Sequence, residues 1–408
     1  MKLFSDSFII SQRRLAAVLL LVSSTLAWFF LFNFYITEIF QSLAPSGSSW
    51  ITIGQVLFYS FAVFWTVVGS LIGGKVDRRK LLLLWISVGV IATASIAFFQ
   101  GPAFLIISSS LLGFSLGLGL PSSLALIADW TNVGERARVS GIIILVTFLI
   151  VFLTIAVVEV FGLGILGKIL FIAVVKSIGL LALILDRCDK KKESQEARIQ
   201  SKVYRNFFFY LFPWVMLNLA AGLAINLIPS TSSYEWAHSI GSILRIACMA
   251  VFGFAAGFTA DRFGRKQHLI IGLLSLGAGF ALIGFAMNEI SAVIFYAIGG
   301  VAWGLFFVVF LSVPGDLSTS NSREKYYALG TVLPLVVLLG ISSVPIHTLL
   351  SIFPTSSFSQ ILSLILFLSI SPILLAKETL PESQIRARRL KEYIERGRKL
   401  MQKSKKQK

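Results

Sequence analysis

Acidic residues, charge of any sign, cysteine and histidine are all scarce in this chain. Among 408 residues there are 19 Asp and Glu, 2 Cys and 3 His, and only 13% of positions are charged. Soluble domains use roughly twice that charge. With 56% of residues hydrophobic, so little charge excludes a soluble globular fold. Cys188 lies in a basic stretch and Cys248 in an apolar run, so a shared disulfide would have to join different membrane depths, and neither is assigned a function. His238, His268 and His347 are dispersed toward the ends of apolar runs. No H-E-x-x-H, G-x-S-x-G or cysteine–histidine cluster is present, so neither an enzymatic activity nor a cofactor or metal is expected. The phosphate-cradling G-x-x-x-x-G-K-[ST] loop is missing too, so ATP-driven work would need another subunit.

What the chain has instead is apolar runs near the length that crosses a hydrocarbon core of roughly 30 Å. Six fall in the first half, at about residues 15–35, 51–73, 81–99, 103–126, 141–161 and 165–185. Six fall in the second, at about 207–228, 237–258, 269–287, 290–313, 328–352 and 358–375. The run from Leu15 follows Arg13 and Arg14 but is too long for a signal peptide and has no clear small-residue cleavage site, so it reads as a retained first helix. The net charge of +17 could suggest nucleic acid. The basic residues, however, sit in short loops and one tail, as the positive-inside rule produces, and a nucleic-acid partner is not expected.

If the N-terminus is cytoplasmic, all but three of the 36 Lys and Arg fall in inner segments; Lys168, Lys176 and Arg245 lie within spans. An even number of crossings also places the basic tail inside. The expectation is an all-α membrane protein of twelve transmembrane helices in two pseudo-symmetric six-helix bundles. Residues 1–185 form the first bundle, 186–205 a cytoplasmic central loop, 206–376 the second bundle and 377–408 a basic cytoplasmic tail. The expected place is the plasma membrane, as a multi-pass monomer. The tail sets Leu390, Tyr393, Ile394 and Met401 near one helical face, which suits either an amphipathic segment on an anionic leaflet or a solvated charged tail.

The two halves repeat. GGKVDRRK after the second span has Gly73, Asp77 and Arg78; GFTADRFGRK after the eighth has Gly257, Asp261 and Arg262, at an offset of 184. Gly113, Gly117, Asp129, Arg136 and Arg138 correspond to Gly300, Gly304, Asp316, Arg323 and Lys325, all at an offset of 187. Repeats in one orientation account for both sets. These loops resemble the G-x-x-x-D-R-x-G-R-R/K motif of the major facilitator superfamily. The second copy fits through Gly264, Arg265 and Lys266; the first ends on Arg79 and Lys80 without the intervening glycine. ADWTNVGERARVSG, around Glu135 and Arg136, and KETLPES at 377–383 are similar to two further signatures of that family.

The resemblance implies a carrier whose two bundles rock around a midplane site, moving a small solute by facilitated or secondary active transport. Asp77, Arg78, Asp261 and Arg262 would favour the outward-open form, with Arg136 and Arg323 as partners; alternatively they are topology determinants in tight turns. Gly113/Gly117 and Gly300/Gly304, at i, i+4, serve close helix packing or a hinge. A charge inside hydrocarbon is a functional candidate by default. Arg245, on a helix bordering the cavity in the resembled fold, is the best substrate or coupling residue. Lys176 reads as structural or as snorkelling through a gap between helices. Glu38, Glu159 and Lys168 read as interfacial charges, with Glu38 or Glu159 the sharper candidate for proton coupling. Asn33, Tyr35, Asn218, Asn226, Tyr296 and Trp303 could line a ligand site or simply pack. No acidic residue lies deep in the cavity helices, so a neutral or anionic solute fits better than a cation. Expected partners are that solute, protons if transport is coupled, and the lipid bilayer. The alternative is a non-transporting membrane sensor or scaffold with the same fold.

Overall fold

A computed structural model of the chain describes residues 9–43, 48–186, 201–224, 234–343 and 354–381, together with Ile394. The described secondary structure is helical, as hydrocarbon requires of a chain whose backbone groups must be satisfied within each segment. The first half comprises α1 (Gln12–Leu43), α2 (Ser48–Ile72), α3 (Arg78–Ser95), α4 (Pro102–Gly117), α5 (Leu120–Trp130), α6 (Val133–Val160) and α7 (Ile165–Leu185). The second comprises α8 (Ser201–Leu223), α9 (Glu235–Phe263), α10 (Arg265–Phe285), α11 (Glu289–Asp316), α12 (Arg323–Ser343), α13 (Thr355–Leu368) and α14 (Ile370–Leu375). Two spans are thus built from two helices each: α4 with α5, and α13 with α14.

Among the described residues, 11 helical stretches are long and apolar enough to cross a membrane. The twelfth span is α3, whose 18 residues open on Arg78-Arg79-Lys80. Those charges dilute its hydropathy, but it packs against α7 and α4 as a member of the first bundle. The first span extends beyond the expected 15–35, to Leu43. Residues 187–200 of the central loop and nearly all of the tail lie outside the described residues.

Within the first bundle α1 packs on α7 and α6, and α2 on α4; within the second α9 packs on α11, and α10 on α11 and α13. The bundles meet along α6 against α9 and along α12 against α2. These two contacts exchange under the repeat, in which α2 answers to α9 and α6 to α12. Leu, Ile and Phe side chains such as Phe64, Ile91, Leu153, Ile184, Leu274 and Leu368 stand exposed on the outside. Apolar surface on that scale marks a lipid-facing exterior.

Small residues set how closely the helices approach. A Cβ on Gly257 would lie 2.8 Å from Gly141 Cα, so α6 and α9 cross with their backbones in contact. Gly113 would meet the Phe58 carbonyl at 2.6 Å, and Gly304 the Gly253 amide nitrogen at 2.8 Å. Both i, i+4 glycine pairs therefore serve packing, of α4 on α2 and of α11 on α9. The fourth span does break, but at Leu118–Gly119, beyond the pair, whereas α11 runs unbroken for 28 residues.

Lys176 sits at that break. Fully buried in the first bundle, its Nζ donates to the Ser115 carbonyl at 3.2 Å and lies over the rings of Trp28 and Trp85, 4.3 and 4.2 Å from their centroids. An uninterrupted helix would give that carbonyl the amide four residues on. The lysine does not snorkel: two aromatic faces and a carbonyl hold its Nζ in the protein interior.

Candidate functional site

Among the described residues, the basic loops that follow α2, α5, α9 and α11 meet at one end of the molecule, and there the halves are tied by buried ion pairs. Asp129, at the end of α5, holds Arg78 of its own half at 2.6 Å and Arg323 of the other half at 2.5 Å. Asp316, at the end of α11, holds Arg265 of its own half at 3.0 Å and Arg136 of the other half at 2.5 Å. Each member of one triad stands 187 residues from its counterpart in the other, so the cluster has the symmetry of the repeat.

Second carboxylates complete the own-half arginines, and here the symmetry fails. Arg265 also pairs with Asp261 at 2.9 Å, from its own half. Arg78 instead pairs with Glu324 at 2.5 Å, from the opposite half. In the 187-residue register Asp261 answers to Gly74, so the first half has no acid there and α12 supplies one from across the interface. Asp261 crosses the interface as well: it accepts from the amides of Ala137 and Arg138 at 3.3 and 3.0 Å and pairs with Arg138 at 3.3 Å. Both amides stand in the second turn of α6, close to its positive N-terminal end, which suits a carboxylate.

Two sequence expectations are corrected by these positions. Asp77 is exposed, and its described partner is the amide of Lys80, at 3.2 Å; it caps α3 instead of bridging the halves. In the second copy the buried arginine of the cluster is Arg265, not Arg262, which is half-buried. The cause is loop length. Between α9 and α10 stands Gly264 alone, at φ 102°, whereas the connection from α2 to α3 takes several residues. The arginine that begins α3 therefore matches the one that begins α10. The stretch after α14 also binds here, with Glu378 accepting from the amides of Arg265 and Lys266 at 2.9 and 3.1 Å and Thr379 donating to Asp316 at 3.0 Å.

From mid-depth toward the opposite end the halves enclose a cavity of about 790 Å³. Its floor is aromatic and built from both halves: Phe30 and Phe148 lie 5.4 and 6.0 Å from Phe307. Phe307 stacks on Trp303 at 5.1 Å and meets Trp214 at 5.7 Å, and Trp214 stacks on Phe310 at 4.6 Å. These rings belong to the middle turns of α1, α6, α8 and α11.

Five of the expected ligand residues, Asn33, Asn218, Arg245, Tyr296 and Trp303, line this one cavity. Asn33 accepts from Tyr59 at 2.6 Å, and Asn218 donates to the Trp214 carbonyl at 2.7 Å. The Arg245 guanidinium lies over the Tyr296 ring, 5.6 Å from its centroid, and its buried Nε has no hydrogen-bond partner. Tyr296 is fixed from behind by a 2.7 Å hydrogen bond with His238 Nδ1.

Tyr35, Glu38 and Lys176 are not among the cavity residues. Tyr35 donates to Glu159 at 3.4 Å, and Glu38 pairs with Lys168 at 2.7 Å, near the far ends of α1 and α6. Asn226 lies outside the described residues. The sequence reading missed the aromatic floor, His238 and Glu324. The spacing of Trp303, Phe307 and Phe310 on one helical face was the available signal for the floor.

The Major Facilitator Superfamily model matches residues 15–332. The multidrug transporter protein MdtP of Bacillus subtilis (strain 168) is 33% identical over 86 residues, a stretch covering 21% of this chain and 16% of that protein. Many solved structures share the fold, the following two transporters among them. The human organic anion transporter MFSD10 aligns with TM-score 0.66 and 16% identity over 89% of this chain and 99% of its own. The proton:xylose symporter XylE aligns with TM-score 0.68 and 15% identity, over 90% and 96%.

Proposed function

The chain belongs to the major facilitator superfamily, and on that premise we propose that it carries a small solute across the plasma membrane by alternating access, as a facilitated or secondary active transporter and not an enzyme. The observation that supports this best is the pairing of a midplane cavity shared by both halves with a closed, ion-paired end beneath it. A rocking carrier needs such contacts, which hold one state and release in the other.

The positive-inside rule assigns the ion-paired, basic end to the cytoplasm, so that the described state is closed inward and both termini are cytoplasmic. In this reading the bundles are residues 1–185 and 206–376, joined by the loop 186–205 and followed by the tail 377–408. The gate residues are Arg78, Asp129, Arg136, Asp261, Arg265, Asp316, Arg323 and Glu324. Gly73 and Gly257 admit the neighbouring helix, and Gly264 makes the turn. Glu38 and Glu159 lie away from the cavity, which gives no support to coupling protons through them.

Counterflow into proteoliposomes tests the proposal, using sugars, organic anions and amphipathic drugs, with and without an imposed pH gradient. At least one solute is expected to exchange. Folded protein that moves none of them under either condition overturns the reading in favour of a non-transporting sensor.

A further inference from the structure

Arg245 is the one charged side chain among the described residues that line the cavity, apart from the titratable His238. Its surroundings do not neutralise it. No ion pair to Arg245 is found among the described residues; its cation–π contact with Tyr296 covers one face of the guanidinium, and its buried Nε has no hydrogen-bond partner. Glu235 stands ten residues along α9, about 15 Å away at 1.5 Å per residue. Glu38 is committed to Lys168 and Glu159 accepts from Tyr35. The segments 44–47, 225–233 and 344–353 contain no Asp or Glu at all.

The neutral polar groups nearby are largely satisfied within their own helices. Ser242 donates to the Ser239 carbonyl at 2.9 Å, Thr331 to Tyr327 at 2.8 Å, and Asn218 to Trp214 at 2.7 Å. The cavity therefore has one strong unmet demand, for an anion. A guanidinium taken out of water without a counterion is costly, and an incoming carboxylate or sulfonate offsets that cost through paired charge-assisted hydrogen bonds.

The rest of the cavity specifies the body that carries the charge. Trp303 lies seven residues from Tyr296 along α11, about 10 Å deeper at 1.5 Å per residue. At that depth the Phe30, Phe148, Trp214, Trp303 and Phe307 rings form a continuous apolar floor. Polar groups that could replace the hydration of a sugar are few there, whereas flat rings stack well against such a surface.

We infer that the cargo is an amphipathic organic monoanion, its acid group on Arg245 and its aromatic or aliphatic body directed inward onto the Trp214–Trp303–Phe307 floor. This rests on the transport reading above and names the substrate class within it. One guanidinium, with no second Lys or Arg among the described lining residues, selects a single negative charge, and the absence of a carboxylate among them disfavours cations.

The probes are 2-naphthoate, its neutral isostere 2-naphthamide, and 2-naphthyltrimethylammonium. Each is measured by isothermal titration calorimetry on the full chain in phosphatidylcholine nanodiscs. Wild type is expected to bind 2-naphthoate saturably and at least tenfold more tightly than the amide, a difference of about 1.4 kcal/mol, as a charge-assisted hydrogen bond outweighs a neutral one. Arg245→Gln removes that preference, and Arg245→Lys retains part of it, because an ammonium keeps the charge without the fork. Equal or tighter binding of the amide or the ammonium by wild type overturns the inference, as does a failure of 2-naphthoate to bind. So does an Arg245→Gln protein of normal size-exclusion profile that keeps the preference. The wild-type series needs no variant, so misfolding of a variant does not remove the test. Counterflow separates the two readings: saturable naphthoate binding with no counterflow of naphthoate or of any other solute tested defeats transport and leaves the anion site standing. Counterflow of the ammonium with naphthoate inert leaves transport standing and defeats the anion site.

Discussion

At the scale of single residues, the two halves use acids differently although their arginines match. Glu324 reaches across from α12 to Arg78, where the second half uses its own Asp261 on Arg265. Removing one partner of a buried pair costs about 3–5 kcal/mol. Glu324→Gln leaves Arg78 with Asp129 alone and is expected to weaken the closure of the basic end. With Cys188 and Cys248 replaced by serine and a cysteine placed at the buried Ala260, labelling by an impermeant maleimide from the basic side is expected to quicken severalfold. Asp77→Asn is the matched control: it alters a helix cap worth about 1 kcal/mol and leaves the labelling rate unchanged. Aligning the sequence on its Asp-Arg dipeptides hid this difference. Arg78 and Arg265 are 187 residues apart, as are Asp129 and Asp316, and that register carries the structural correspondence. Which carboxylate an arginine finds across an interface depends on side-chain reach, so the role of Glu324 was not legible from spacing.

At the scale of helices, the glycines decide where the halves touch. α6 and α9 meet at Gly141 and Gly257 with no room for a Cβ. Overpacking a tight contact costs about 1–3 kcal/mol. In Gly257→Val that cost falls on the interface between the halves, so it disfavours the described state more than it unfolds either bundle. Faster maleimide labelling of the same Ala260→Cys reporter is expected, with normal expression and size-exclusion behaviour. Gly299→Ala, where no atom stands within 4 Å of the new Cβ, is expected to change neither; equal effects of the two would contradict the close-contact account. The spans themselves were legible because lipid forces long apolar runs. The break at Leu118–Gly119 was legible too, in Gly119 and in Pro121, which opens the second helix and cannot continue the first; what could not be read was that Lys176, from another helix, takes the Ser115 carbonyl.

At the scale of the whole molecule, the repeat, the span count and the clustering of basic loops at one end could all be read from the sequence, because each is a pattern in chain position. The cavity could be read only in part. Arg245 stood out as a charge in an apolar span, and Asn33, Asn218, Tyr296 and Trp303 join it. Tyr35 and Glu38 turn away to Glu159 and Lys168, a choice made by helix rotation, which one-dimensional spacing does not set. The floor joins side chains more than 100 residues apart, from both halves, around Phe307. Because the two halves share it, it cannot stay assembled when they part at the basic end. Two of the chain's 8 tryptophans, Trp214 and Trp303, pack on Phe307 within the second half, so parting draws Phe30 and Phe148 off Phe307 and brings water to the basic side of the floor beside both indoles. The protein thus has its own optical reporter of which way it faces. Without solute, Glu324→Gln is expected to shift the emission maximum to the red, and the shift should disappear when Trp214 and Trp303 are both replaced by phenylalanine.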